Sequence, residues 1–273
     1  MGCAVLTRNV ELAGAIELSA WRKIAIGTWS TCGDPSVYGS IDIDASNILK
    51  KMETEKANGV RLTPTIIVAK AAALCLREYP LMNSVLRMGK LYERKNIDIF
   101  LQVSPEGKED NLSGMLIRNC DQKSLKEIAE DVSKSVNRIK KGDDFEYKKM
   151  KDSLRFVPSF CIGPLLKFLS FFLYGLNLWT PLLKTPRDSF GSMMVTSVGN
   201  LGIDNGFAPL VPYSRCPGLM SVGEIKKKAI VINNEICIRP ILTIGVTMDH
   251  RLMDGKGASY MLKAFRKFLE DPA

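Results

Sequence analysis

The chain has 273 residues, 46% hydrophobic and 25% charged, enough for one large domain or two small ones with a substantial core. Its 38 Lys and Arg against 29 Asp and Glu give a formal charge of +9, which suits nucleic acid, an anionic surface or a phosphorylated small molecule. The bases come in short groups mixed with acids, with no basic stripe interleaved with aromatics, and this excludes a nucleic-acid reader.

The seven cysteines are odd in number, widely spaced and without a C-x-x-C pair, a pattern of free thiols in a reducing compartment. With one histidine in the chain they leave no zinc site, and no metal is expected. The start, "MGCAVLTRNVELAG", lacks a charged segment followed by an apolar one, so a cytoplasmic location is the expectation.

In chain order, "WRKIAIGTWS" (21–30) reads as a short amphipathic segment. "VYGSIDIDAS" (37–46) alternates like a strand before Asp44 or Ser46 caps a helix. That helix ends at Gly59, and a second begins at Pro64 and is apolar nearly all round, which places it in the core. "KNIDIFLQVS" and "LSGMLIRNC" are strands joined through "PEGKEDN" as a hairpin. A helix follows from Asp121, its expected N-cap, to Gly142.

Residues 156–183 are the most apolar stretch but are broken by Pro158, Pro164, Gly175 and Pro181 and carry Lys167, too short a run to span a bilayer. They read as helical pieces that pack inside the protein or its oligomer, wall a hydrophobic pocket, or make peripheral contact with a membrane. The last third is strand-rich, with "SMMVTSVGNLG", "GLMSVGEI", "KAIVINNEI" and "ILTIGVTM" and a hairpin signal at "NNE". The closing helix puts Ala258, Met261, Leu262, Phe265 and Leu269 on one face. Strands and helices mix without strict alternation, so the fold class is α/β (α+β) with a mixed sheet.

The only histidine, His250, follows the strand "ILTIGVTM" and precedes a helix, a common place for a catalytic group. Imidazole suits a general base near neutral pH, and a structural histidine is the competing reading. Gly255 and Gly257 permit unusual backbone angles or a close approach, and Asp254 either orients the imidazole or braces the loop by pairing with a cation. No G-x-S-x-G elbow, G-x-G-x-x-G or P-loop is present. A base without a protein nucleophile points to direct transfer: His250 deprotonates a thiol or hydroxyl that attacks a thioester, and a separate donor stabilises the oxyanion.

His250, Asp254 and Gly255 form the H-x-x-x-D-G pattern shared by chloramphenicol acetyltransferase and the catalytic domain of dihydrolipoamide acyltransferases, and "DHRLMDG" is closer to the latter. Further pieces are similar to that 2-oxoacid dehydrogenase acyltransferase family in the same order: "WRKIAIGTW", "TPTIIVAKAAALCLREYPLMNSVL", "MLIRNCDQKSLKEIAEDV" and "TSVGNLGI". The resemblance covers residues 18–142 and 188–271. It implies a chloramphenicol acetyltransferase-like mixed sheet flanked by helices, with residues 1–273 a single catalytic domain carrying an apolar helical insertion at about 143–188.

By the same resemblance His250 is the general base, and Asp254 is structural support paired with Arg22, with Lys23 a competing partner. Thr196 is the oxyanion hydroxyl; a slip of one residue makes it Ser197, on the other face of a strand. No coenzyme-binding residue is assigned. The implied assembly is a homotrimer or a higher assembly of trimers with active sites between subunits, acyl-CoA as substrate and a thiol or alcohol acceptor. The main reading is a stand-alone CoA-dependent acyltransferase without a lipoyl domain, lipoate not being on this chain. The alternatives are a dihydrolipoamide acyltransferase working on lipoyl or other carrier domains in trans, and a non-catalytic trimeric scaffold.

Overall fold

The computed structural model describes residues 6–17, 35–103, 113–140, 158–183 and 187–272. Short strands β1 (Thr7–Arg8) and β2 (Leu12–Ala15) come first, followed by β3 (Ser36–Asp44) and helices α1 (Ser46–Ala57) and α2 (Pro64–Glu78). The N-cap of α1 is Ala45, without a side-chain cap, so neither Asp44 nor Ser46 is the cap expected; Asp44, one residue earlier, accepts hydrogen bonds from the Ser46 N–H (2.9 Å) and hydroxyl (2.5 Å). Thr63 caps α2 by accepting from the Ile66 N–H, and Pro64 fills the first turn, where a missing N–H costs nothing. Nine side chains of α2 are buried, as its all-round apolar sequence predicts.

β4 (Ser84–Arg87) and β5 (Lys90–Arg94) form a hairpin that the sequence reading did not draw. Its turn is Met88-Gly89, both at positive φ, and with Met in the first of these positions the usual Asn-Gly or Asp-Gly signal is missing. β2 pairs with β5 to make a three-stranded sheet.

β6 (Ile99–Val103) and β7 (Ser113–Ile117) pair antiparallel, as the hairpin expectation has it. α3 (Leu125–Lys140) starts later than expected, and Asp121 is not its cap. Ser124 and Glu127 close the helix reciprocally, the Ser124 N–H donating to Glu127 and the Glu127 N–H to the Ser124 hydroxyl. Lys70 donates to the carbonyl of Asp121 and ties the preceding turn to α2.

α4 (Ser159–Ser170), a π-helical turn at Phe171–Gly175 and β8 (Leu178–Trp179) make up the described apolar stretch. Tyr174 is buried with Val10 and Val85, and Asn177 bonds both backbone groups of Val10, so this end is pinned to the first strands. Phe168, Phe171, Leu176 and Leu182 remain exposed. Among the described residues no helix is long and apolar enough to cross a membrane.

β9 (Met193–Ser197), β10 (Gly218–Ile232) and β11 (Glu235–Asp249) complete a mixed six-stranded sheet in the order β3-β11-β10-β9-β6-β7. The β9 contacts with β10 and β6 are parallel and the other pairings antiparallel. "GLMSVGEI" and "KAIVINNEI", read as separate strands, are one strand with a register shift between Val222 and Ile225. A Cβ on Gly223 would lie 1.9 Å from the Asp204 carbonyl and one on Gly245 2.1 Å from that of Gly206. These two glycines let the 199–217 connection lie directly on the sheet.

Alternation divides the sheet into two faces. Ile41, Ile99, Met115, Met193, Met220 and Ile244 join α1, α2, α3 and the closing helix α5 (Gly255–Glu270) in the main core. Phe100, Met194 and Leu219 face the other way, under Phe190, Leu210 and Val211. Met261, Phe265 and Leu269 are buried on α5 as expected, but Leu262 is exposed, because one further residue turns it about 100° away from Met261.

Candidate active site

β11 ends at Asp249, and the chain turns at once into α5. The turn is fixed from several sides: the Asp249 N–H donates to the Pro217 carbonyl, the His250 N–H to the Pro35 carbonyl (2.9 Å each), and the Leu252 and Met253 N–H groups to the Asp249 carbonyl. Leu252 and Met253 are buried in the main core and anchor the loop. His250 is half-buried at its rim.

On either side of His250 stand Asp249 and Arg251. The buried Asp249 carboxylate accepts from Arg251 Nε at 2.9 Å, Nη2 at 2.6 Å and the Arg251 N–H at 2.9 Å. The sequence reading assigned no role to this pair, although the alternating charges of "DHR" are its signal. Arg215, at φ 51°, donates to the Ser170 hydroxyl and the Leu86 carbonyl. Burial, and then the charge of Arg251, hold its guanidinium below its ordinary pKa.

Asp254 is the N-cap of α5 and accepts the Gly257 N–H at 2.8 Å. This contact is neither of the two roles the sequence left open, which were orienting the imidazole and pairing with a cation. Arg22, its expected partner, and Lys23 lie in "WRKIAIGTWS", outside the described residues. A Cβ on Gly257 would meet Met253 of its own loop at 3.3 Å, which is not the approach of another chain that was expected. A Cβ on Gly255 has open space, and neither glycine has a positive φ.

Thr196 and Ser197 are half-buried at the end of β9 and point to opposite faces. Thr196 is level with Ser221 on β10 and Gln102 on β6, and Ser221 is level with Gly245 on β11. β11 runs four residues past Gly245, roughly 14 Å along the strands, before the turn that carries His250, and it lies two strand spacings, roughly 10 Å, from β9. The register thus sets Thr196 and His250 apart within one protomer. Burial pushes the thiols of Cys75, Cys120 and Cys216 up to about 12, so they are protonated at neutral pH and offer no competing nucleophile. Among the described residues no His, Cys, Asp and Glu cluster could hold a metal.

A mixed sheet with its helices on one face and a histidine at the exit of β11 defines a chloramphenicol acetyltransferase-like fold. A chloramphenicol acetyltransferase structure superposes over 93% of this chain and 99% of its own, with a TM-score of 0.51 at 10% identity. A probable dihydrolipoamide acetyltransferase from Listeria monocytogenes superposes over 93% of each chain, with a TM-score of 0.65 at 21% identity. The sequence profile of the 2-oxoacid dehydrogenases acyltransferase (catalytic domain) matches residues 18–159 and 185–273, and the chain belongs to that family of acyl-transferring enzymes. Between the two matched blocks lie residues 160–184, which include most of α4 and the π-helical turn. The dihydrolipoyllysine-residue acetyltransferase component of the pyruvate dehydrogenase complex of Rickettsia felis is 26% identical over 88% of this chain and 48% of its own length. The chain thus spans about half the length of the curated relatives it matches.

Proposed function

We propose that this protein transfers acyl groups between coenzyme A and the dihydrolipoyl thiol of a lipoyl domain presented in trans, with residues 1–273 forming one catalytic domain. The observation that carries this reading is the two-block family match, which encloses both His250 and Thr196. A general acyltransferase with another thiol or alcohol acceptor shares the chemistry, but the matched relatives are named for lipoyl-linked acyl transfer.

In the proposed reaction His250 takes the proton of the attacking dihydrolipoyl thiol. The sulfur forms a bond to the acyl carbon of acyl-CoA, and the carbonyl electron pair moves onto oxygen. The Thr196 hydroxyl of a neighbouring protomer donates to that oxyanion, with Ser197 the alternative donor. Collapse breaks the bond to the CoA sulfur, which recovers the proton from the imidazolium. Asp254, paired with Arg22, holds the loop in place. A trimer with sites between subunits meets the separation of Thr196 from His250 along the sheet.

The test supplies acyl-CoA and a separately purified, reduced lipoyl domain and follows the release of CoA thiol in wild type and His250→Ala. The reading requires turnover that depends on His250. Turnover with small thiols or alcohols but not with the lipoyl domain would replace it with the general acyltransferase, and silence with every acceptor from a folded trimer would leave a scaffold.

A further inference from the structure

Two residues inward from the Pro35–His250 contact, Val37 of β3 stands level with Met248 of β11. Beneath that pair, between the β3 edge of the sheet and α5, is a half-open pocket of about 110 Å³. Gly39, Met220, Met248, Met253, Met261 and Leu262 are among its lining residues, and the lining is almost wholly apolar. Met253 belongs to the catalytic loop itself, so the pocket wall and the loop that carries His250 are one piece of chain. Four thioether side chains with unbranched, adaptable stems suit a flexible aliphatic guest better than a fixed planar one.

Gly39 keeps this space open. It alternates with Ile41 and Ile43 on the helix-facing side of β3, and a Cβ built on it meets nothing within 4 Å. The pocket runs into a shallower surface groove through Ser40, Ala258 and Leu262, and the groove carries Lys263 and Arg266 together with Asp42. An apolar cavity opening into a polar groove with two bases and one carboxylate matches an aliphatic tail on a polar carrier.

From this arrangement we infer that the pocket between β3 and α5 binds the acyl chain of the substrate, and that the protein selects medium-length saturated acyl groups over acetyl. The inference rests on the proposed acyl transfer and names its acyl substrate class. Gly39→Leu places a side chain in the cavity from a position with no backbone strain, and Leu262→Ala widens it at an exposed site.

The experiment measures kcat/KM for acetyl-, isobutyryl-, hexanoyl- and octanoyl-CoA with a reduced lipoyl domain, and in parallel the Tm shift that each thioester causes. The pocket predicts a hexanoyl-to-acetyl ratio above one in wild type, about tenfold or more lower in Gly39→Leu, and shifted toward octanoyl in Leu262→Ala. Equal ratios in all three proteins overturn it. If no thioester is turned over, the proposed transfer fails on its own account. The Tm arm then decides the pocket: a larger shift with hexanoyl- than acetyl-CoA, lost in Gly39→Leu, upholds it, and equal shifts overturn it.

Discussion

Thr196 and His250 stand at different levels of one sheet, Thr196 in register with Ser221 and His250 beyond the point where β11 leaves that register. The proposed reaction centre accordingly draws the two groups from neighbouring copies of the chain. Mixing His250→Ala protomers, inactive alone, with Thr196→Ala protomers regenerates sites that hold an intact base from one subunit and an intact hydroxyl from its neighbour. Activity of the remixed trimers above that of either parent is the expected result; additive residual activity would place both groups in one protomer.

Removing the imidazole alone lowers kcat by about 10²- to 10⁴-fold, the range for general-base catalysis. The His250 backbone N–H that donates to Pro35 survives in His250→Ala, so the loop and the thermal midpoint stay close to wild type. A rate loss accompanied by a collapse of Tm would instead mark a structural histidine.

Asp254 combines two tasks that can be separated. Asp254→Ala deletes the acceptor for the Gly257 N–H and costs about 1 kcal/mol, as for other N-cap truncations. Asp254→Asn keeps a good cap but removes the charge that would hold Arg22. We expect Asp254→Asn to retain stability while losing acyl transfer, which kcat and Tm measured on the two variants check directly.

Legibility from sequence followed the strength of local signals. The α2 helix carries a Pro at its start, and the "ILTIGVTM" half of β11 is rich in β-branched residues, so each could be placed from residues alone, whereas Pro240 hid the continuity of β11 back to Glu235. The β4–β5 hairpin turns on Met88, a residue that rarely accepts φ 48°, and only its tertiary pairing with β2 reveals it. At the site, His250 and Asp254 were visible because their spacing is local. The Asp249–Arg251 bracket was also local, but it resembles a solvated charge pair until Asp249 is seen to be buried. The pocket beside Gly39 needs β3, β11 and α5 brought together, and no spacing in the chain encodes it.

Thr247, three residues before His250, is fully buried, and its hydroxyl has no hydrogen-bond partner among the described residues. A buried polar group left unsatisfied costs about 1–3 kcal/mol. Thr247→Val preserves shape and removes that group, so it should raise stability by about 1 kcal/mol, or roughly 2–4 °C in Tm. An equal loss of stability in chemical denaturation would instead reveal a bound water that the hydroxyl holds.

Arg94 and Asp188 form an ion pair beneath the surface, where β5 meets the chain just before β9. Asp188 is also held by the Asn9 side chain, which accepts its N–H. Burial, only partly offset by the Arg94 charge, raises the Asp188 carboxyl above its ordinary range. Arg94→Met removes the offset and leaves a carboxylate without its cation, at a cost of about 3–5 kcal/mol at neutral pH. In that variant the folded state holds its proton to higher pH than the unfolded chain, so stability falls as pH rises from about 4, the unfolded carboxyl value, toward the raised folded one. The gap in Tm between wild type and Arg94→Met should therefore widen with pH over that window and then level off. Adding Asp188→Leu removes the stranded charge, so Arg94→Met/Asp188→Leu should recover most of the loss and flatten the pH dependence. If the double variant remains as unstable as the single one, the arginine acts through packing and its bonds to neighbours rather than through the carboxylate.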